Sequence, residues 1–231
     1  NNELNDEIDL SDLLFTLWGS KIYIILLSII SVFLASFYLQ FAERKYSVEY
    51  KLKPNDGWKI DFDDIESKMD ENVRLLVIIN PNNPCGNVAT EEEVDRLLSI
   101  AKKWPNCMVI ADEIYDGLDF TGHHVSVASR SNEVPVFCLN GVSKVYYAPG
   151  WRIGYMAIHD PTGRMNLVRD GIERMLRSRL CASTPAQLGY LAGLTSDRTW
   201  MNAYRQKVIT QRDLCVKRIA AIDGLEVQSP G

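Results

Sequence analysis

Six polar residues of this 231-residue sequence stand where they could do chemistry: Asn83, Asp112, Tyr115, Ser143, Lys144 and Arg152. Asp112 directly follows the apolar run Met108-Val109-Ile110-Ala111, so its carboxylate is carried at the edge of that run. A charge held there needs a cationic or proton-bearing partner to stay ionised at low cost. Lys144 closes Asn140-Gly141-Val142-Ser143-Lys144 after a second apolar run, where an unpaired ammonium is disfavoured. Lysines in such positions serve as nucleophiles toward carbonyls. Arg152, held by Pro149-Gly150-Trp151, could grip a phosphate with its planar fork. Each has an ordinary alternative. Asp112 could cap a following helix, Lys144 could reach into solvent, Arg152 could serve a surface ion pair, and Tyr115 could be an amphipathic core edge.

The elements that must position these residues follow from the apolar pattern. Arg74–Ile79 is an almost continuous aliphatic run, which suits a strand buried on both faces of a parallel sheet. It stops at Asn80-Pro81-Asn82-Asn83-Pro84-Cys85-Gly86, which no regular element accommodates. Further strands are expected at 107–111, 135–139 and 152–158. Asp61–Asp70 predicts a short acidic helix, and Thr90 with Glu93 three residues on predicts a capping box opening a helix to about Lys103. Two more helices are expected over 164–180 and 185–222, the second interrupted near Ser196-Asp197. Strand and helix in this alternation indicate a doubly wound α/β layer. In such sheets ligands sit outside the carboxyl ends of the strands. Asn83, the Asp112/Tyr115 pair and the Ser143/Lys144 pair each follow a strand, and Arg152 opens the fourth.

Composition narrows the class. With 46% hydrophobic and 24% charged residues the chain is close to an average globular protein, which excludes collagenous and disordered classes. A formal charge of -5 gives no general electrostatic reason to bind nucleic acid. The five cysteines are widely spaced, odd in number and without a CxxC pair, which points to reduced thiols in a cytosolic setting. Three histidines are too few for most metal chemistry.

The N-terminal residues read differently. No charged residue occurs from Ile22 to Ala42, and about 20 such residues match the thickness of a bilayer. A single transmembrane helix over 22–42 is therefore expected, with an amphipathic stretch from Ile8 to Trp18 lying along the membrane ahead of it. The acidic opening Ile8-Asp9-Leu10-Ser11-Asp12-Leu13-Leu14, followed by this run, resembles the N-terminus of the polysaccharide chain-length determinant family. That resemblance implies a cytoplasmic N-terminus. The positive-inside count opposes it, because Lys21 precedes the run and Arg44, Lys45, Lys51 and Lys53 follow. The turn-forming cluster Pro54-Asn55-Asp56-Gly57 marks the expected boundary between a membrane-anchor segment, 1–54, and a second domain, 55–231.

The six polar residues together suit one cofactor. Pyridoxal phosphate needs a lysine for a Schiff base, a carboxylate at the pyridinium nitrogen, hydrogen bonds to the ring hydroxyl, and cationic and hydroxyl groups at the phosphate. Residues 55–231 resemble the central part of the class I/II aminotransferases, the fold-type I pyridoxal-phosphate enzymes. The matching motifs are Asn80-Pro81-Asn82-Asn83-Pro84-Cys85-Gly86, Ala111-Asp112-Glu113-Ile114-Tyr115, and Ser143-Lys144 with Gly150-Trp151-Arg152-Ile153-Gly154-Tyr155. The resemblance implies a three-layer large domain, present in part. It makes Lys144 the catalytic, cofactor-bearing residue and Asp112 the partner of the ring nitrogen. Asn83 and Tyr115 become the partners of the ring oxygen, and Arg152 a phosphate ligand. Two positions depart from the family pattern: Cys85 replaces the usual threonine, and Gly141 replaces a phosphate-binding serine, a role Ser143 could take.

The resemblance further implies amino acid and 2-oxo acid substrates, an alanine-aminotransferase-like branch, and a homodimer where the full fold is present. It covers the middle of the family's chain. The ring-stacking aromatic, the first phosphate loop and the arginine for the substrate carboxylate are therefore expected outside the matched motifs, and these residues alone are expected to bind weakly and not to turn over. The competing expectation is a membrane-anchored chain-length determinant-type protein without catalysis.

Overall fold

Twenty-one residues without a helix breaker, Lys21–Phe41, form helix α1 in the computed structural model, which describes residues 18–41, 46–48, 52–53, 58–178 and 181–231. Residues 1–44 and 45–231 make two compact units. In the first, α1 carries exposed Ile22, Ile25, Ile29, Val32, Phe33 and Phe37, and the Lys21 ammonium lies 4.3 Å from the Trp18 ring centroid. The run is interrupted by Tyr23, Ser28, Ser31, Ser36, Tyr38 and Gln40. Among the described residues no helix is long and apolar enough to cross a membrane, so the expected span over 22–42 is not borne out. The stretch Ile8–Leu14 and the cluster Pro54–Gly57 lie outside the described residues.

The second unit is built on a five-stranded sheet. Strands β1 (Tyr46–Val48), β2 (Leu52–Lys53) and β3 (Lys59–Ile60) come first, and β2 and β3 pair with each other as a separate antiparallel ribbon. Helix α2 (Phe62–Lys68) is capped by Asp61, whose carboxylate accepts from the Asp64 amide at 3.1 Å. Then follow β4 (Val73–Ile79), α3 (Glu91–Lys102), β5 (Met108–Asp112), the four-residue helix α4 (Val127–Arg130), β6 (Val136–Gly141) and β7 (Gly154–His159). Three helices complete the unit: α5 (Asn166–Ser178), α6 (Thr184–Thr195) and α7 (Thr199–Ala220).

The sheet order is β1-β4-β5-β6-β7, parallel from β1 through β6, with β7 antiparallel at the edge. The expected strands and helices are present with ends displaced by one or two residues. The predicted capping box is complete. Thr90 accepts from the Glu93 amide at 3.2 Å, and Glu93 accepts from the Thr90 amide at 2.9 Å. The expected break in the last helix falls between α6 and α7.

The expected burial on both faces fails for β4 and β5, whereas β6 begins with Val136, Phe137 and Cys138 all buried. In β4, Val73, Leu76 and Ile78 are buried while Leu75, Val77 and Ile79 are half-buried, and β5 alternates likewise with Val109 and Ala111 inside. The inward face packs on Ile65 of α2, on Val94, Leu97, Ile100 and Ala101 of α3, and on Val127 of α4 in one cluster. The observed architecture is thus a mixed α/β fold with a partial sheet, with helices α2, α3 and α4 packed on the inward face of β4 and β5.

Candidate active site

The parallel register brings the carboxyl ends of β4, β5 and β6 level. Asp112 pairs with Ile79 on one side and with Leu139 on the other. Residues that follow these three strands therefore emerge at one edge of the sheet, as the sequence predicts. The loop after β4 is organised by asparagines. The buried Asn80 side chain accepts from the Ala89 amide at 2.9 Å, and Asn82 accepts from the Cys85 amide at 3.2 Å. This presents Asn83 at the surface, where its Nδ2 donates to the Tyr115 hydroxyl at 2.9 Å. The Lys144 ammonium lies 5.6 Å from the centroid of the same tyrosine ring. Asn83, Tyr115 and Lys144, drawn from three separate loops, meet here.

Asp112 ends β5, and its Oδ1 accepts from the Ile114 amide at 3.1 Å, which fixes the turn leading to Tyr115. Ser143 and Arg152 stand on either side of the Val142–Ile153 backbone hydrogen bond, just beyond the last β6–β7 pair, Gly141 with Gly154. Arg152 adopts a left-handed conformation at φ 51°, which is uncommon for a residue with a side chain, and its Nη1 donates to the Pro149 carbonyl at 3.0 Å. Among the described residues no ion pair involves Asp112, Lys144 or Arg152. Lys144 is exposed, so its ammonium is solvated and not buried behind the strand as the apolar run suggested.

The departure at Gly141 has a steric reason. A Cβ on this residue would meet the Ile153 carbonyl at 2.9 Å and Gly154 Cα at 3.1 Å, because β6 and β7 approach closely. A serine does not fit without a backbone shift, which leaves Ser143 as the hydroxyl next along this strand end.

Two supporting residues escaped the sequence reading. Glu113 is buried, and its Oε1 accepts from the Val127 amide at 2.8 Å, tying the Asp112 turn to α4. Asn140 Nδ2 donates to the Glu113 carbonyl at 3.1 Å and its Oδ1 accepts from the Gly141 amide at 2.7 Å, joining the ends of β5 and β6. Their signal was available: polar side chains placed directly at the ends of apolar strands must find hydrogen bonds. Nearby, Asp119 is 5% exposed. Burial pushes its carboxyl up, but hydrogen bonds from Thr121, His124 and Gly122 outweigh this and hold it below the ordinary value.

A carboxylate, an amide–phenol pair, an amine and a guanidinium at one sheet edge form a set suited to a phosphorylated, carbonyl-bearing ligand. Residues 38–231 match the family model for aminotransferase class I and II. The chain belongs to this family. Alanine aminotransferase from Pyrococcus furiosus is similar in structure, with a TM-score of 0.77 at 40% identity, over 79% of this chain and 46% of that one. The mouse tyrosine aminotransferase is 33% identical over 187 residues, 78% of this chain and 40% of its own length. The alanine aminotransferase of Mycobacterium bovis is 32% identical over 79% of this chain and 43% of its own length. The chain thus spans less than half the length of these relatives. Class I aminotransferases use pyridoxal 5'-phosphate, and the chemistry of the groups at the sheet edge suits it: among the described residues Asp112, Lys144 and Arg152 are in no ion pair, and Asn83 and Tyr115 share a hydrogen bond. The resemblance of residues 1–54 to chain-length determinants is not shown, and the aminotransferase match begins at residue 38.

Proposed function

We propose that residues 55–231 carry the pyridoxal-phosphate site of an enzyme that moves an amino group between an amino acid and a 2-oxo acid. The observation that carries this reading is the Asn83 to Tyr115 hydrogen bond of 2.9 Å with the Lys144 ammonium facing the same ring. The cofactor, when bound, supplies an electrophilic carbon and an electron-accepting ring. Lys144 Nζ is its attachment point and the base and acid that move a proton at the substrate Cα. The Asp112 carboxylate keeps a proton on the ring nitrogen. Asn83 gives one N–H to Tyr115, which leaves its second N–H and the tyrosine O–H to donate to the ring oxygen. Arg152 offers a charge-assisted fork to the phosphate, with the Ser143 hydroxyl beside it.

In this reading the cofactor-binding part extends over residues 45–231, because β1 (Tyr46–Val48), which precedes the boundary expected at residue 54, is a strand of its sheet beside β4. The free thiols, Cys85, Cys107, Cys138, Cys181 and Cys215, support work in a reducing compartment. A homodimer, typical of the family, is the assembly we infer for the whole protein. No observation favours an assembly role without catalysis. The test is to add pyridoxal phosphate to the 231-residue chain, reduce with borohydride and map the modified lysines by mass spectrometry. Lys144 is expected to carry most of the label. Modification of other lysines with Lys144 untouched would remove the assignment.

A further inference from the structure

The loop from Lys144 to Arg152 bears both cations of the site, and its backbone is strained. Tyr147 and Arg152 have φ of 54° and 51°, and neither is glycine. Such conformations persist when the surroundings over-determine them. The surroundings here are α6 and α7. Tyr146 packs onto α6 at Gly193: its hydroxyl donates to the Gly193 carbonyl at 3.3 Å, and a Cβ on Gly193 would meet the ring at 2.9 Å. The same ring stands edge-on to Tyr190 at 5.7 Å and near Trp200 at 6.1 Å. Tyr147 meets Tyr204 of α7 edge-on at 4.5 Å. Trp151, the residue before Arg152, lies over Gly189, where a Cβ would meet its ring at 2.5 Å. Gly189 and Gly193 are four residues apart, so they open one face of α6 to two aromatic rings that flank the loop.

We propose that α6 and α7 clamp this loop, with Tyr146, Tyr147 and Trp151 as the gripped side chains. Gly189 and Gly193 are positioning residues that set where Lys144 and Arg152 stand. The inference rests on the pyridoxal-phosphate reading above. Glycine in a helix interior is otherwise a cost, because alanine favours the helix more. A methyl group added at Gly171 in α5 would meet nothing within 4 Å, which makes that glycine the matched control.

The experiment compares Gly189→Ala, Gly193→Ala, Trp151→Ala, the double variant Gly189→Ala/Trp151→Ala and Gly171→Ala with the parent chain. Three quantities are read: the thermal midpoint, the affinity for pyridoxal phosphate, and the share of borohydride label on Lys144 against other lysines. Gly171→Ala should raise the midpoint and leave binding and label unchanged. Gly189→Ala and Gly193→Ala should weaken binding about tenfold, the effect of misplacing one charge-assisted contact, and spread the label away from Lys144. The double variant should match Trp151→Ala alone, because the alanine methyl acts through the ring it displaces. Parent-like label and affinity in both glycine variants would overturn the clamp. Should a glycine variant fail to fold, Trp151→Ala decides, since its side chain is 52% exposed and removing it threatens no core. Parent-like binding in that variant also overturns the clamp. Failure of the parent chain to label Lys144 would instead remove the cofactor reading itself.

Discussion

Helices α3 and α5 have similar lengths and both are amphipathic, yet they live in different surroundings. α3 begins with a complete capping box and buries Val94, Leu97, Leu98, Ile100 and Ala101 against the sheet. α5 buries no residue, and its Leu167 and Leu176 are 86% and 66% exposed. An apolar stripe alone does not make a core; it needs a facing surface. In the β4–β6 region each inward side chain has one, and the site residues stand at the ends of those supported strands. The C-terminal helices bury Tyr190, and their aromatic side chains meet Tyr146 and Tyr147 of the loop before β7 and Tyr155 of β7 itself.

The largest effect expected from this contrast is in the core. Leu97→Ala should cost about 2–5 kcal/mol of stability, as a cavity-forming change in a packed interior does. Leu176→Ala on α5 should change stability by less than about 0.5 kcal/mol. Urea unfolding of both variants measures this, and equal effects would break the comparison. The capping box comes next: Thr90→Ala should cost about 1 kcal/mol in the same assay. The smallest effect is a pH dependence. Asp119 titrates below its ordinary value when folded, so its contribution to stability is present above about pH 4, the unfolded value. That contribution is lost as pH falls through the lower folded value. Asp119→Asn should flatten the acid side of the stability profile; an unchanged profile would deny Asp119 this role.

What was legible in the sequence was local or periodic. Thr90 and Glu93 act within one turn, and the runs around Leu76, Val109 and Val136 are long enough to place strands to within one or two residues. Lys144 was correctly placed after β6, but its exposure was not, because the course of a loop depends on contacts far along the chain. The left-handed Tyr147 and Arg152 carry no glycine to announce them. Their conformation is held by Tyr204, Gly189 and Gly193, more than thirty residues away. Strand β1 was missed for a related reason: three residues have no period to read, and its place beside β4 comes from pairing alone. The uncharged run after Lys21 was legible as a helix, and the membrane span read from it is not borne out among the described residues.

The most direct test of the central claim is an experimental structure of the 231-residue chain with pyridoxal phosphate. Electron density is expected to be continuous with Lys144 Nζ, with the ring nitrogen at Asp112, the ring oxygen at Asn83 and Tyr115, and the phosphate between Ser143 and Arg152. Density bound at another lysine, or at the opposite edge of the sheet from Asn83 and Tyr115, would contradict it.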